Sequence, residues 1–276
     1  MISPRQQFFI ADSKMHTVQS SACVLPPPPN HIYEVFRVIN GVALFLEDHI
    51  ERLQHSIDEA GILTEAQSLL PDIDKLLKLN GYATGNIKII FWKTEKTNHS
   101  MLFYDKHLYP TEQQFTEGVT LGLLERERQN PNVKLFDSSM RKDAGELIES
   151  NNFYEVILLN QQGFITEGSR SNIFFIKDDT LFTAPSSEVL QGVTRKKIIE
   201  IIKNLSISFE EKHVHINDIT LYESIFITGT SRRVLPAKNI YSVSTDFNTN
   251  HPLLRKLQAE FIQVCNDYVE TVKKRK

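Results

Sequence analysis

Only two cysteines occur in 276 residues, Cys23 and Cys265, and they lie far apart. Neither a disulfide framework nor a zinc-ligand spacing can be built from such a pair, so they read as free thiols in a reducing compartment. Glycine is sparse, at 11 residues. There is no P-loop and no Gly-x-Gly-x-x-Gly fingerprint, which leaves helix N-termini and side chains to capture any phosphate. The Gly-x-Ser-x-Gly elbow of serine hydrolases is absent, and Ser138 and Ser139 have no obvious His/Asp partner in the sequence. No apolar run approaches a membrane span, and Met1 to Gln7 has no apolar core of signal-peptide length. The net charge is only −3, so nothing marks an electrostatic surface for nucleic acid or membrane. These absences point to a cytoplasmic protein without a metal site and without a nucleic-acid or membrane partner.

What is present is a globular mixture, 41% hydrophobic and 24% charged, long enough to bury a large core. At roughly 150 residues per domain the length suggests one or two domains. Ile32 to Ile39, then Asn40-Gly41, then Val42 to Phe45 reads as a hairpin, since both turn positions need positive φ. Leu46, Ile50, Leu53, Ile57 and Ala60 form one apolar stripe, which predicts a helix ending at Gly61. A second helix is predicted over Glu65 to Leu79, then strands at Ile87 to Trp92 and Met101 to Phe103. The polar stretch 109–118, with Pro110, reads as a linker. The predicted division is therefore 1–108 as a small domain and 119–276 as a larger one.

In the second half, Val119 to Leu124 predicts a strand and Met140, Ala144, Leu147 and Ile148 a helix. Val156 to Leu159 is apolar on both faces and reads as a buried central strand. Ile173 to Ile176 and Leu181 to Thr183 pair across a short turn, and Ile225 to Ile227 is another strand. Helices are predicted over Thr194 to Leu205 and from Pro252 onward. Strands and helices alternate in both halves, so the fold class is α/β or α+β with two domains. Three conspicuous features have plain explanations. Pro26 to Pro29 reads as a stiff extended loop. His213 and His215 share one side of a strand but do not make a metal site alone. The basic tail Lys273 to Lys276 suits a helix C-terminus.

One stretch says more. Ile165-Thr166-Glu167-Gly168-Ser169-Arg170-Ser171-Asn172-Ile173-Phe174 closely resembles the signature of the class IV aminotransferases, the fold-type IV pyridoxal-phosphate enzymes. Leu181-Phe182-Thr183-Ala184-Pro185 and Leu190-Gln191-Gly192-Val193-Thr194-Arg195 continue that likeness. Leu46 to Leu53 resembles the family's small-domain helix, and Thr228-Gly229-Thr230-Ser231 its second phosphate loop. The resemblance runs in order from about residue 32 to 237.

It implies a homodimer with a small N-terminal and a larger C-terminal domain, and pyridoxal 5'-phosphate as cofactor. It also implies a lysine that holds the cofactor covalently and, once released, moves a proton as general base and acid. Lys134 fits that position; Lys142, inside a predicted helix, fits less well. Glu167 matches the carboxylate that keeps the pyridine nitrogen protonated. Arg52, the Val193 and Thr194 amides, Thr230 and Ser231 match the phosphate donors. Asn172 would hold the turn beside Glu167.

The sequence departs from the family pattern in three places. Pro28 stands where an active-site aromatic is usual, Asp137-Ser138 replaces Asn-Tyr or Asn-Leu after the lysine, and Lys88 replaces an arginine. Arg37, Lys88 and Arg232 are candidates for a substrate carboxylate. The leading function is amino-group transfer between an amino acid and a 2-oxo acid. The rivals are a 4-amino-4-deoxychorismate lyase, whose substrate is aminodeoxychorismate and which releases 4-aminobenzoate and pyruvate, and a non-catalytic binding protein on the same scaffold.

Overall fold

The computed structural model describes residues 6–19 and 24–275. Cys23, most of Met1 to Gln7 and the last tail residue, Lys276, lie outside the described residues. The chain divides into two units: Met1–Leu108 with Val133–Asp137 and Cys265–Lys276, and Tyr109–Asn132 with Ser138–Val264.

The first unit is built on β1 (Phe8–Ala11), β2 (Lys14–Thr17), β3 (Ile32–Ile39), β4 (Val42–Ala43), α1 (Leu46–Glu59), α2 (Leu70–Leu79), β5 (Gly85–Lys93) and β6 (Asn98–Asp105). Its strands form one antiparallel sheet in the order β2-β1-β6-β5-β3-β4. Even-numbered β3 residues Ile32, Phe36 and Val38 join Leu53 and Ile57 of α1 and Ile73 and Leu76 of α2 in one core. The opposite face packs Phe9, Ala11, Ile90, Trp92, Met101 and Phe103. That two-faced burial explains why β5 reads as a nearly continuous apolar run. The predicted hairpin is present, with Asn40 and Gly41 both at positive φ. The predicted helix over Glu65 to Leu79 is split: a 3-10 turn at Ala66–Leu69 precedes α2, because Pro71 sets the first turn of a new helix.

The second unit carries α3 (Glu112–Glu117), β7 (Val119–Glu125), α4 (Ser138–Asn151), β8 (Glu155–Leu159), β9 (Phe164–Gly168), β10 (Asn172–Lys177), β11 (Thr180–Thr183), α5 (Val193–Asn204), β12 (Phe209–Glu211), β13 (Val214–His215), β14 (Ser224–Gly229) and β15 (Arg233–Ile240), then α6 (Pro252–Lys274), whose last turns count with the first unit. The sheet has nine strands in the order β12-β11-β10-β14-β15-β7-β8-β9-β13. It is mixed, with β7 parallel to both β15 and β8. β8 is buried along its whole length between β7 and β9.

Of the elements with no counterpart in the sequence reading, two have a plain physical reason. The stretch expected as a linker holds α3, whose Thr111 and Gln114 exchange reciprocal capping bonds. β15 contains Pro236, which lacks an N–H for a ladder. It is tolerated because residues 233–236 pair only with β14, whereas the β7 pairing begins at Ala237.

The start of α1 depends on the other end of the chain. Phe45 precedes the helix in a left-handed conformation and offers no side-chain cap. The Tyr268 hydroxyl of α6 fills that role: it accepts from the Leu46 N–H at 3.2 Å and donates to Glu47 Oε2 at 2.5 Å. Its ring lies 5.0 Å from that of Phe45. Tyr268→Phe keeps the ring and removes both bonds. It is expected to cost about 1 kcal/mol, like the loss of an N-cap, and to lower the melting temperature by roughly 2–4 °C. Calorimetry of the two proteins checks this; an unchanged midpoint would show that the cap is immaterial.

Candidate active site

In the first unit the organising group is Glu34. The period-2 pattern of β3 places it at a core position between Ile32 and Phe36, and it is completely buried. Arg52, one α1 turn beyond His49, donates from Nε to Glu34 Oε2 at 3.0 Å and from Nη2 to Oε1 at 2.6 Å. His49 Nδ1 lies 2.9 Å from Oε1, and the Val35 N–H donates to the same oxygen at 2.8 Å. Burial by itself would raise the Glu34 pKa. The Arg52 guanidinium, the His49 contact and the Lys134 charge outweigh it and hold the carboxyl well below its ordinary range. His49 is pushed down by burial, against the pull of Glu34, and is further lowered by Arg52 and Lys134. An ionised carboxylate only accepts, so neutral His49 donates from Nδ1. Glu34 thus occupies the Nε–Nη2 edge of Arg52.

Lys134 belongs to the segment 133–137 that joins this unit. Its carbonyl accepts from the Tyr33 N–H at 3.1 Å, and its N–H donates to Ser56 Oγ at 3.1 Å. Phe136 N–H donates to the His31 carbonyl at 2.8 Å, and Leu135 bridges Ile32. The segment is thus stitched along β3 as a strand fragment. Lys134 Nζ stands 4.7 Å from the centre of the Tyr33 ring. Lys88, opposite Val35 in the β3–β5 ladder, places its Nζ 5.4 Å from the Tyr33 and Phe136 rings. Strand alternation puts Tyr33, Arg37 and Lys88 on one face of the sheet. His31 stacks on Phe136 at 4.8 Å, and its Nδ1 lies 2.7 Å from the Pro28 carbonyl. Burial keeps His31 neutral against the pull of that carbonyl, and the Lys88 charge adds to the lowering.

In the second unit Glu167, near the end of β9, is buried. Arg128 Nε donates to its Oε1 at 2.6 Å and Arg128 Nη2 to the Ser169 carbonyl at 2.9 Å. Glu167 Oε2 accepts from the Leu190 N–H at 3.3 Å and from Asn172 Nδ2 at 3.4 Å. Asn172 also donates to the Leu190 carbonyl at 2.9 Å, so it holds the turn beside Glu167. α5 starts at Val193 and Thr194, and no side chain among the described residues caps it, which leaves first-turn N–H groups for an anion. A Cβ on Gly192 would fall 2.1 Å from Asn172 Oδ1, so the close approach of this helix start requires glycine. Thr230 and Ser231 lie at the tip of the β14–β15 hairpin. Arg232, a sequence candidate for a substrate carboxylate, is instead ion-paired with the buried Glu155 at 2.9 Å. Lys142, the weaker lysine, is an exposed α4 residue 3.8 Å from Glu146. His213 and His215 pack against Phe164, and no cluster of metal-ligating groups occurs among the described residues.

Sequence reasoning missed Glu34, His49, Arg128, Tyr33 and Phe136. For Glu34 the signal was available, as a lone charge at an inward position of an apolar strand. Arg128 sits in an irregular segment where no periodicity assigns a face.

Each unit thus offers a group with chemistry: in the first the Lys134 amine on an aromatic face, in the second a buried carboxylate beside an uncapped helix start. The sequence profile described as "Amino-transferase class IV" matches residues 31–240. The D-alanine aminotransferase of Bacillus licheniformis is 26% identical over 244 residues, covering 82% of this chain and 84% of that protein. A probable branched-chain-amino-acid aminotransferase of Rickettsia typhi is 27% identical over 226 residues, 77% of each chain. The solved branched-chain amino acid aminotransferase of Escherichia coli superposes with a TM-score of 0.83 over 95% of each chain, at 18% identity. The chain belongs to the class IV aminotransferase family. Enzymes of this family use pyridoxal 5'-phosphate, the residues described above fit that group, and the activity is amino-group transfer between an amino acid and a 2-oxo acid. The relatives favour transfer over the lyase reaction. No helix among the described residues is long and apolar enough to cross a membrane.

Because the folded pKa of Glu34 is depressed, its ion pairs contribute stability that is complete above the ordinary carboxylate value of 4.5 and declines as the pH falls below it. Glu34→Gln leaves Arg52 buried without its counter-charge and is expected to cost about 3–5 kcal/mol at pH 7. The difference from the unmodified protein should narrow at lower pH. Denaturant unfolding of both proteins across the acidic range checks it, and a pH-independent difference refutes the linkage.

Proposed function

We propose that Lys134 is the lysine that bonds to the cofactor aldehyde, and that Glu167 accepts the hydrogen bond of the pyridine N–H. The observation that carries this reading is the placement of Lys134. A surface lysine is free at its backbone and wet at its amine. Here both main-chain groups are bonded to first-unit partners and the amine lies over an aromatic face.

The bound cofactor supplies an electron sink for the substrate carbon. The proton movements belong to the chain. Lys134, once displaced by the substrate amine, would take the proton from the substrate Cα as general base and deliver it as general acid to the carbon that was the cofactor's aldehyde. The Tyr33 ring fixes where that amine can stand. Glu167, oriented by Arg128, Asn172 and the Leu190 N–H, keeps the ring nitrogen protonated. Arg52, the Val193 and Thr194 amides, Thr230 and Ser231 are the proposed phosphate donors. Arg37 and Lys88 share the Tyr33 face and are the proposed partners of the substrate carboxylate; Arg232 drops from first rank because Glu155 engages it. The proposal extends to a cytoplasmic homodimer, with the domain division at 109–118; light scattering that returns a monomer mass refutes the dimer. D-Alanine and the branched-chain amino acids, named in the relatives, are the donors to try first.

Borohydride reduction followed by peptide mass spectrometry is the decisive test. The cofactor mass is expected on the peptide containing Lys134 and lost in Lys134→Ala; recovery of the label on another lysine overturns the assignment. Lys88→Ala is expected to raise KM for the oxo acid by about tenfold with a smaller change in kcat. An unchanged KM removes Lys88 from the substrate site.

A further inference from the structure

Glu155 opens β8, is completely buried and has no part in the roles given above. Ser169 Oγ donates to its Oε1 at 2.6 Å, and the Val156 N–H donates to the same oxygen at 3.1 Å. Its Oε2 lies 2.9 Å from Arg232 Nη2 and accepts from Ser171 Oγ at 3.4 Å. These partners come from two loops. Ser169 and Ser171 form the turn that follows Glu167. Arg232 belongs to the hairpin loop that carries Thr230 and Ser231.

The β10–β14 ladder ends at the Asn172–Thr228 pair. Beyond it the two loops have no sheet register, and Glu155 supplies the connection. Arg232 Nη1 adds a long 3.5 Å bond to the Arg170 carbonyl, and the guanidinium lies 5.6 Å from the Tyr154 ring. The turn itself is tight: Gly168 N–H donates to the Ser171 carbonyl at 2.7 Å, and a Cβ on Gly168 would fall 2.0 Å from Ser171 Oγ. A buried carboxylate with a cation on one oxygen and a hydroxyl on the other has little freedom to move, because each displacement leaves a charge unmet.

We propose that Glu155 is a positioning residue for the cofactor, clamping the loop after Glu167 to the Thr230–Ser231 loop so that they act as one rigid piece. The proposal rests on the roles of Glu167, Thr230 and Ser231 given under the proposed function. Glu155 reaches the cofactor only through those loops.

The test uses the full chain freed of cofactor, as wild type, Glu155→Gln, Glu155→Asp and Ser169→Ala. Amide hydrogen exchange reads the clamp without any ligand. Titration with pyridoxal 5'-phosphate, followed by absorbance, reads the consequence. Glu155→Gln is expected to speed exchange in 168–172 and 229–233 together and to weaken pyridoxal 5'-phosphate affinity by about tenfold to a hundredfold, the usual consequence of small misplacements. Glu155→Asp, which keeps the charge on a shorter arm, should fall between.

Ser169→Ala guards against a Glu155 variant that does not fold. It touches only the first loop, yet exchange in 229–233 should rise as well, which a local packing role would not produce. Faster exchange confined to one loop, or unchanged cofactor affinity in a folded Glu155→Gln, overturns the proposal. Failure of the wild type to take up pyridoxal 5'-phosphate would instead count against the roles of Glu167, Thr230 and Ser231, and the exchange result would still decide the clamp.

Discussion

A carboxylate removed from water must be met by a cation and by donors on both oxygens, or it costs several kcal/mol. This chain meets that requirement three times with an arginine: Glu34 with Arg52 at 2.6 Å, Glu167 with Arg128 at 2.6 Å, and Glu155 with Arg232 at 2.9 Å. Each glutamate is on a strand. Arg128 and Arg232 come from irregular segments and Arg52 from a helix, so each pair fixes a piece of chain that the sheets alone leave adjustable. Buried pairs of this kind add little net stability over apolar packing. What they add is a single geometry for the segments that each pair joins.

The same constraint explains what the sequence disclosed and what it concealed. α1, the β3–β4 hairpin, β8 and α5 were legible because their apolar positions repeat at the period of the element that buries them. The loops at Glu167 and Thr230 were legible only through a family likeness, since no periodicity marks such turns. Two prolines mark places where the structure differs from expectation: Pro236 lies in an unassigned strand, where just one neighbour pairs, and Pro71 starts a new helix inside the stretch expected as one.

Pairing in space was the least legible property. The sequence offers Arg232 as a candidate for a substrate carboxylate. In the structure it pairs with Glu155, 77 positions earlier in the chain, and nothing local to either residue announces the other. Lys134 shows the converse. Its neighbours Val133 and Leu135 are apolar in no useful pattern, yet the segment adds itself to β3 as a strand fragment and thereby acquires Tyr33 beneath its amine.

Two of the departures from the family pattern, Pro28 and Lys88, meet around one aromatic cluster of the first unit. Where an active-site aromatic is usual, Pro28 contributes only its carbonyl, bonded to His31, and His31 in turn stacks on Phe136. Phe136 therefore stands with Tyr33 where Lys88 arrives, and the two rings meet edge to face at 6.0 Å. An ammonium above two ring faces is attracted by their quadrupoles. That arrangement suits a point-like contact with a carboxylate, whereas an arginine there would impose a planar, bidentate one. Under the role proposed for Lys88, exchanging the fork for a point charge would relax the orientation demanded of the substrate without removing its counter-charge.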